Sequence, residues 1–291
     1  MTFNGSYVAV VTPFKDGKVD ETSLRNLVDY QIERGTDGIV PCGTSGESAT
    51  LTHEEHCQVI DICIDQTNKR VPVVAGAGSN STHETLFLTE HAKKAGADGA
   101  LLITPYYNKP SQEGLYQHYK YVAERVDIPI IMYNVPGRTA CNMLPETIIR
   151  LAEIPNIVAV KDASGSMEQA AAIIDGTPDD FGLLAGEDAL YYPLLSIGGN
   201  GVISASVNAC PALAAELYDA FMAGNIDRAR ELHFKLLPLF NSFFTETNPV
   251  PVKRALELMG LIGPEVRLPL VEMTKEGTAK MKAVMEQVGL I

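Results

Sequence analysis

The sequence predicts an α/β fold, a (β/α)8 TIM barrel with a C-terminal helical appendage. Three observations predict it: eight short apolar runs, stretches of helical spacing between them, and further helical sequence after the eighth run with no strand pattern. A closed barrel needs eight strand-helix units, whereas an open Rossmann-type sheet rarely has them. With 291 residues, the chain can build such a barrel and its appendage. Its 46% hydrophobic and 20% charged residues suit one well-packed globule.

The runs occupy residues 7–12, 38–42, 71–75, 100–104, 128–133, 157–160, 181–185 and 201–205. Between them lie helical patterns such as Leu24, Leu27, Val28 and Ile32, or Val59, Ile60, Ile62 and Cys63. Thr52 with Glu55 and Ser166 with Gln169 fit capping boxes, Pro145 suits a first helical turn, and Gly35 and Gly96 close helices. After the eighth run, 211–223, 226–244, 252–259 and 274–288 all read as helices. The expected division is a barrel over 1–224 and a helical region over 225–291. No linker or low-complexity tract separates them.

The net charge of −13 argues against a nucleic-acid or anionic-membrane surface, so an anionic substrate needs a few locally placed cations. Five cysteines without a C-x-x-C pair indicate neither a disulfide framework nor a zinc cage. The start lacks a basic n-region and a long apolar core, and no apolar run approaches membrane-spanning length. A reducing cytoplasm is the expected location.

In a barrel of this kind, functional groups sit where strands end and βα-loops begin. Those positions hold Thr12-Pro13-Phe14, Gly43 to Ser48, Thr104 to Asn108, Tyr133 to Thr139, Lys161, Gly186-Glu187-Asp188 and Ile203-Ser204. The lysine follows four apolar residues, Ile157 to Val160, that read as a strand buried on both faces. A buried ammonium is costly unless it is paired or works as a neutral amine. The bland alternative is a lysine that snorkels to solvent from the strand end. Hydroxyls, phenols, one arginine and one lysine converge on this face, with no histidine or carboxylate cluster at metal-ligand spacing and no Walker sequence. Together they read as Schiff-base chemistry on a carbonyl substrate. Singly each is weak. The G-T-S-G turn also fits a plain anion-holding turn, Tyr106 and Tyr107 fit packing aromatics at a subunit contact, and Arg138 fits a surface arginine.

Four segments resemble the dihydrodipicolinate synthase family: G-T-S-G-E-S at 43–48, Y-Y-N-K-P at 106–110, Y-N-V-P-G-R-T at 133–139 and V-K-D-A-S-G at 160–165. The likeness runs from the N-terminal V-A-V-V-T-P-F to the C-terminal N-P-V-P-V-K. The resemblance implies that Lys161 forms an imine with pyruvate, without a cofactor or metal. Tyr133 is then the proton donor and acceptor, linked through Thr44 to Tyr107 of a neighbouring subunit. Thr44 and Ser45 hold the pyruvate carboxylate, Arg138 grips the carboxylate of L-aspartate 4-semialdehyde, and Gly186 and Ile203 complete the substrate-binding set. Ser45 stands where the family commonly has threonine, keeping the hydroxyl and the backbone amide.

The resemblance also implies the first committed step of the diaminopimelate and lysine pathway, a homotetramer built as a dimer of dimers, and feedback inhibition by L-lysine. The effector site would comprise Ser48, Ala49, His53, His56, Asn80, Glu84 and Tyr106. One alternative is a related lyase acting on a sugar-derived 2-keto acid, similar to N-acetylneuraminate lyase. Against it stands Arg138, because a polyhydroxylated substrate calls for hydrogen-bond partners there. A barrel that only binds a small acid is the reading from another class. It leaves the lysine, both tyrosines and the threonine of one pocket without a use.

Overall fold

A computed structural model describes residues 3–291, which form two compact units. One unit comprises residues 3–5 and Pro72–Ile203, the other Ser6–Val71 and Ser204–Ile291.

In the first unit, six strands lie side by side in chain order: β3 (Val74–Gly76), β4 (Gly99–Ile103), β5 (Ile130–Asn134), β6 (Ile157–Asp162), β7 (Gly182–Ala185) and β8 (Gly201–Ser204). Every pairing is parallel. Strands β3, β5, β7 and β8 are buried at every residue, which accounts for their unbroken apolar sequence. Between the strands lie α3 (Thr82–Ala95), α4 (Gln112–Ala123), α5 (Pro145–Ala152), α6 (Met167–Gly176) and α7 (Tyr191–Ser196).

The second unit holds β1 (Gly5–Ala9) from Ser6 onward and β2 (Gly38–Val40), a parallel pair with Tyr7 opposite Gly38. Its helices are α1 (Glu21–Ile32), α2 (His53–Thr67), α8 (Pro211–Met222), α9 (Ile226–Ser242), α10 (Val250–Leu258) and α11 (Lys275–Val288). Helix α9 packs on α8 and α11, and α10 packs on α11. Buried Asn208 joins the two stretches of this unit: its Oδ1 accepts from Val11 N at 3.1 Å and its Nδ2 donates to Ala9 O at 2.8 Å.

All eight expected strands are present, three of them starting at the expected residue and five with shifted starts. The third and fifth begin at Val74 and Ile130, not at 71 and 128. Each start falls just after a proline, Pro72 or Pro129, which has no N–H for the ladder. Pro129 still takes part as an acceptor, from Ala100 N at 2.8 Å. The two-residue hairpin of Phe14–Lys15 and Lys18–Val19 was too short to show a period.

Thr52 and Glu55 form the expected reciprocal capping box, and Pro145 opens α5. Gly96 ends α3 at φ +95°, and Gly35 follows α1 at φ +84°. The second capping box is only half formed. Ser166 Oγ accepts from Gln169 N at 3.1 Å, but the Gln169 side chain goes to Asn142, Met143 and Asp162. Ser166 N donates to Ser164 Oγ instead.

Candidate active site

The first unit carries the amine. Parallel pairing of β5 with β6 sets Tyr133 opposite Lys161. Both residues are only 6% exposed, so the lysine does not snorkel to solvent. Lys161 Nζ lies 4.3 Å from the centroid of the Tyr133 ring, whose electron-rich face attracts a cation while the phenol offers a proton. An amine and a phenol thus share one buried position.

Gly186 follows β7, and its N–H donates to Asp162 O at 2.7 Å. A Cβ there would meet the Ala163 Cβ at 2.7 Å, so the close approach of these two strand ends requires glycine. Ile203 is fully buried on β8.

Arg138 is exposed on a single helical turn, Pro136–Thr139. Proline at its first position pre-sets the helical φ. Buried Thr139 anchors the turn by donating to Cys141 O at 2.9 Å, and Thr104 Oγ1 donates to Thr139 Oγ1 at 3.3 Å. Arg138 is therefore carried on an anchored turn.

Tyr107 behaves differently from Tyr133. It is 90% exposed and holds φ +71°, a left-handed conformation costing a bulky residue roughly 1–2 kcal/mol. The neighbouring Asn108 steadies the loop by donating from Nδ2 to Asn80 O at 2.8 Å.

The second unit carries the G-T-S-G-E turn. Gly46 N donates to Gly43 O and Glu47 N to Thr44 O, both at 3.1 Å. Cys42 and Glu47, at φ +55° and +53°, turn the backbone left-handed at either end. Thr12 Oγ1 donates to Gly46 O at 2.7 Å. Thr44 is half-buried, while Ser45 is buried and its Oγ accepts from Asn248 Nδ2 at 3.1 Å.

Below the turn lies an ionic cluster that the sequence reading missed. The Glu47 carboxylate pairs with the Lys253 ammonium, each side chain only 1% exposed. Burial lowers the Lys253 pKa, and Glu47 opposes that shift. The ammonium also donates to Glu265 O at 2.9 Å. Arg267 N donates to Glu47 Oε2 at 3.1 Å, and its guanidinium grips both Glu55 oxygens at 2.6 Å. That fork holds the Glu55 carboxyl below its ordinary range. Lys253 and Arg267 both lie over the Phe14 ring, at 4.2 and 4.3 Å.

The expected effector residues fall in both units. Ser48 is half-buried, Ala49 and His53 are exposed, and His56 is buried one turn further along α2. In the other unit Asn80, Glu84 and Tyr106 are each half-buried, and Glu84 Oε2 accepts from Ser79 Oγ at 2.6 Å. Among the described residues, no group of three or more His, Cys, Asp or Glu side chains is placed to hold a metal ion. No helix among them is long and apolar enough to cross a membrane.

The comparisons with known proteins agree over the whole length. The model of the Dihydrodipicolinate synthetase family matches residues 2–288. The 4-hydroxy-tetrahydrodipicolinate synthase of Syntrophus aciditrophicus (strain SB) is 59% identical over 289 residues, 99% of either chain. The solved chloride-inhibited dihydrodipicolinate synthase of Acinetobacter baumannii, complexed with pyruvate, is 47% identical with a TM-score of 0.98 and full coverage of both chains. DHDPS from Cyanidioschyzon merolae with lysine bound is 41% identical, at a TM-score of 0.96 over both full chains. The fold is a (β/α)8 barrel with additional C-terminal helices, as the sequence predicts. Matched from residue 2 to residue 288, and at 59% identity to one full-length relative, this chain belongs to the dihydrodipicolinate synthetase family.

Proposed function

We propose that this chain is a 4-hydroxy-tetrahydrodipicolinate synthase, condensing pyruvate with L-aspartate 4-semialdehyde through a Schiff base on Lys161. The observation that carries the reading is the buried Lys161 amine over the Tyr133 ring, at the end of a parallel strand. The neutral amine adds to the keto carbon of pyruvate and water leaves, giving the imine. Loss of a methyl proton gives the enamine, whose carbon attacks the aldehyde. The amine of the second substrate then adds to the imine carbon, closes the ring and expels the Lys161 amine. Because the imine is itself the electron sink, these steps call for no cofactor.

Tyr133 serves as proton donor and acceptor, with Thr44 and the Tyr107 of a neighbouring subunit completing the relay. Thr44 and Ser45 bind the pyruvate carboxylate, Arg138 that of the aldehyde, and Gly186 and Ile203 line the substrate. The outward-held Tyr107 supports a shared site, and the assembly we propose is a homotetramer arranged as a dimer of dimers. We place the chemistry in residues 1–224, with 225–291 as the helical appendage, and the enzyme in the cytoplasm. Treatment with pyruvate and borohydride is expected to add a reduced pyruvate unit to the Lys161 peptide, read by mass. An adduct on another residue, or none, would overturn the assignment.

L-Lysine is the proposed feedback inhibitor, bound by Ser48, Ala49, His53, His56, Asn80, Glu84 and Tyr106. Half-buried Glu84, at the start of α3, suits an ammonium group. Its replacement by alanine is expected to weaken inhibition by L-lysine by about tenfold to a hundredfold, the loss of one charge-assisted contact. Initial rates across a lysine titration test this. Unchanged inhibition in Glu84→Ala would remove Glu84 from the site.

A further inference from the structure

Strands β5 and β6 meet with one irregularity. Ile130 faces Ile157, but Ile131 faces Ala159, so one residue of β6 is left over near the start of the ladder. A slip of one residue sends every side chain of a strand to the other face. Below the irregularity Asn156 anchors the pair, its Nδ2 donating to Ala123 O at 2.9 Å and Val126 O at 3.1 Å, but the left-over residue separates that anchor from the register in which Lys161 meets Tyr133.

The upper end carries another. Asn134 and Asp162 pair directly after Tyr133 and Lys161, and so point to the opposite face of the sheet. There Asn134 Nδ2 donates to Asp162 Oδ1 at 2.9 Å and to Asn142 Oδ1 at 2.8 Å, while Asn134 Oδ1 accepts from Met143 N at 2.9 Å. Asp162 Oδ2 accepts from Ser164 Oγ at 2.5 Å, and Gln169 Nε2 reaches Asp162 Oδ1 at 3.3 Å. Asn142 Nδ2 closes the circuit on Gln169 Oε1 at 2.9 Å. Asn134 is fully buried, and both hydrogens of its amide are used. Shifting either strand by one residue would break this set. A satisfied buried network of this kind holds one geometry. Burial also raises the Asp162 pKa, and the hydrogen bonds from Ser164, Asn134 and Gln169 oppose that shift.

We propose that Asn134 and Asp162 are positioning residues for the reaction: their hydrogen bond fixes the β5–β6 register that sets the Lys161 amine over Tyr133. The inference rests on the imine reading of Lys161. The experiment follows imine formation at saturating pyruvate, quenched with borohydride at intervals and counted by mass on the Lys161 peptide per folded chain. Asn134→Asp, which sets two carboxylates against each other, is expected to slow it on the order of a hundredfold, as a displacement of about 1 Å does. The transposed pair Asn134→Asp with Asp162→Asn restores a donor facing an acceptor and is expected to recover most of that loss. A general loss of stability would lower the folded fraction without this rescue. Should Asn134→Asp not fold, Asp162→Ala, which removes the acceptor for Asn134, is expected to slow trapping by about tenfold, as part of that misplacement. Wild-type trapping rates in the folded single variants, or slowing that the transposed pair does not relieve, overturn the positioning role. Failure of the unsubstituted protein to form the Lys161 adduct overturns the imine reading itself.

Discussion

Lys161→Ala is expected to abolish condensation while the protein folds and melts as the unsubstituted chain does. The covalent route ends with the amine, while the strand that carries it keeps its backbone pairing to β5 and β7. Lys161→Arg is expected to fail as well, because a guanidinium stays protonated and is a poor nucleophile. A fall of at least about a thousandfold in turnover is the expected scale for losing a covalent intermediate. Turnover with pyruvate and L-aspartate 4-semialdehyde, set beside a thermal melt, is the measurement. Near-normal turnover by either variant would reject the imine.

The second large effect concerns stability and arises away from the amine. Lys253→Met is expected to destabilise the protein by about 3–5 kcal/mol, because it leaves the Glu47 carboxylate buried and without its ion-pair partner. For a chain of this size that lowers the melting temperature by on the order of 10 °C. Pairing it with Glu47→Gln removes the stranded charge and is expected to recover much of the loss, since exchanging a buried pair for uncharged groups is often close to neutral. Differential scanning calorimetry on the single and double variants decides it. Equal melting temperatures for Lys253→Met and the unsubstituted protein would mean that the pair contributes nothing.

Local periodicity made the barrel legible. Unbroken apolar runs gave way to helical spacing eight times, and each run became a strand within a few residues of its expected place. Departures arose where proline removed a ladder donor, at 72 and 129, or where an element was only two residues long. The lysine and the phenol were visible as polar residues ending apolar runs, and the structure buries both together. The supports of the site were not visible. Glu47 meets Lys253 and Arg267, and Ser45 meets Asn248, across roughly two hundred residues of sequence. No local pattern records such a pairing. Gln169 shows the same gap at short range: its spacing from Ser166 fits a cap, but tertiary partners claim its side chain. Those competing partners come from β6 and the loop before α5, which spacing from Ser166 does not reveal.

The unit built from Ser6–Val71 and Ser204–Ile291 sets an order of events during synthesis. The turn bearing Thr44 and Ser45 is made early, but Asn248, Lys253 and Arg267, which hold it, come near the end of the chain. At about 5–20 residues per second, the first stretch waits on the order of ten seconds for its counterpart to be translated. The other unit is nearly continuous in sequence and can close while that wait lasts. The amine would then stand on finished strands before the Thr44–Ser45 turn has its supports, so a chain released early would lack them.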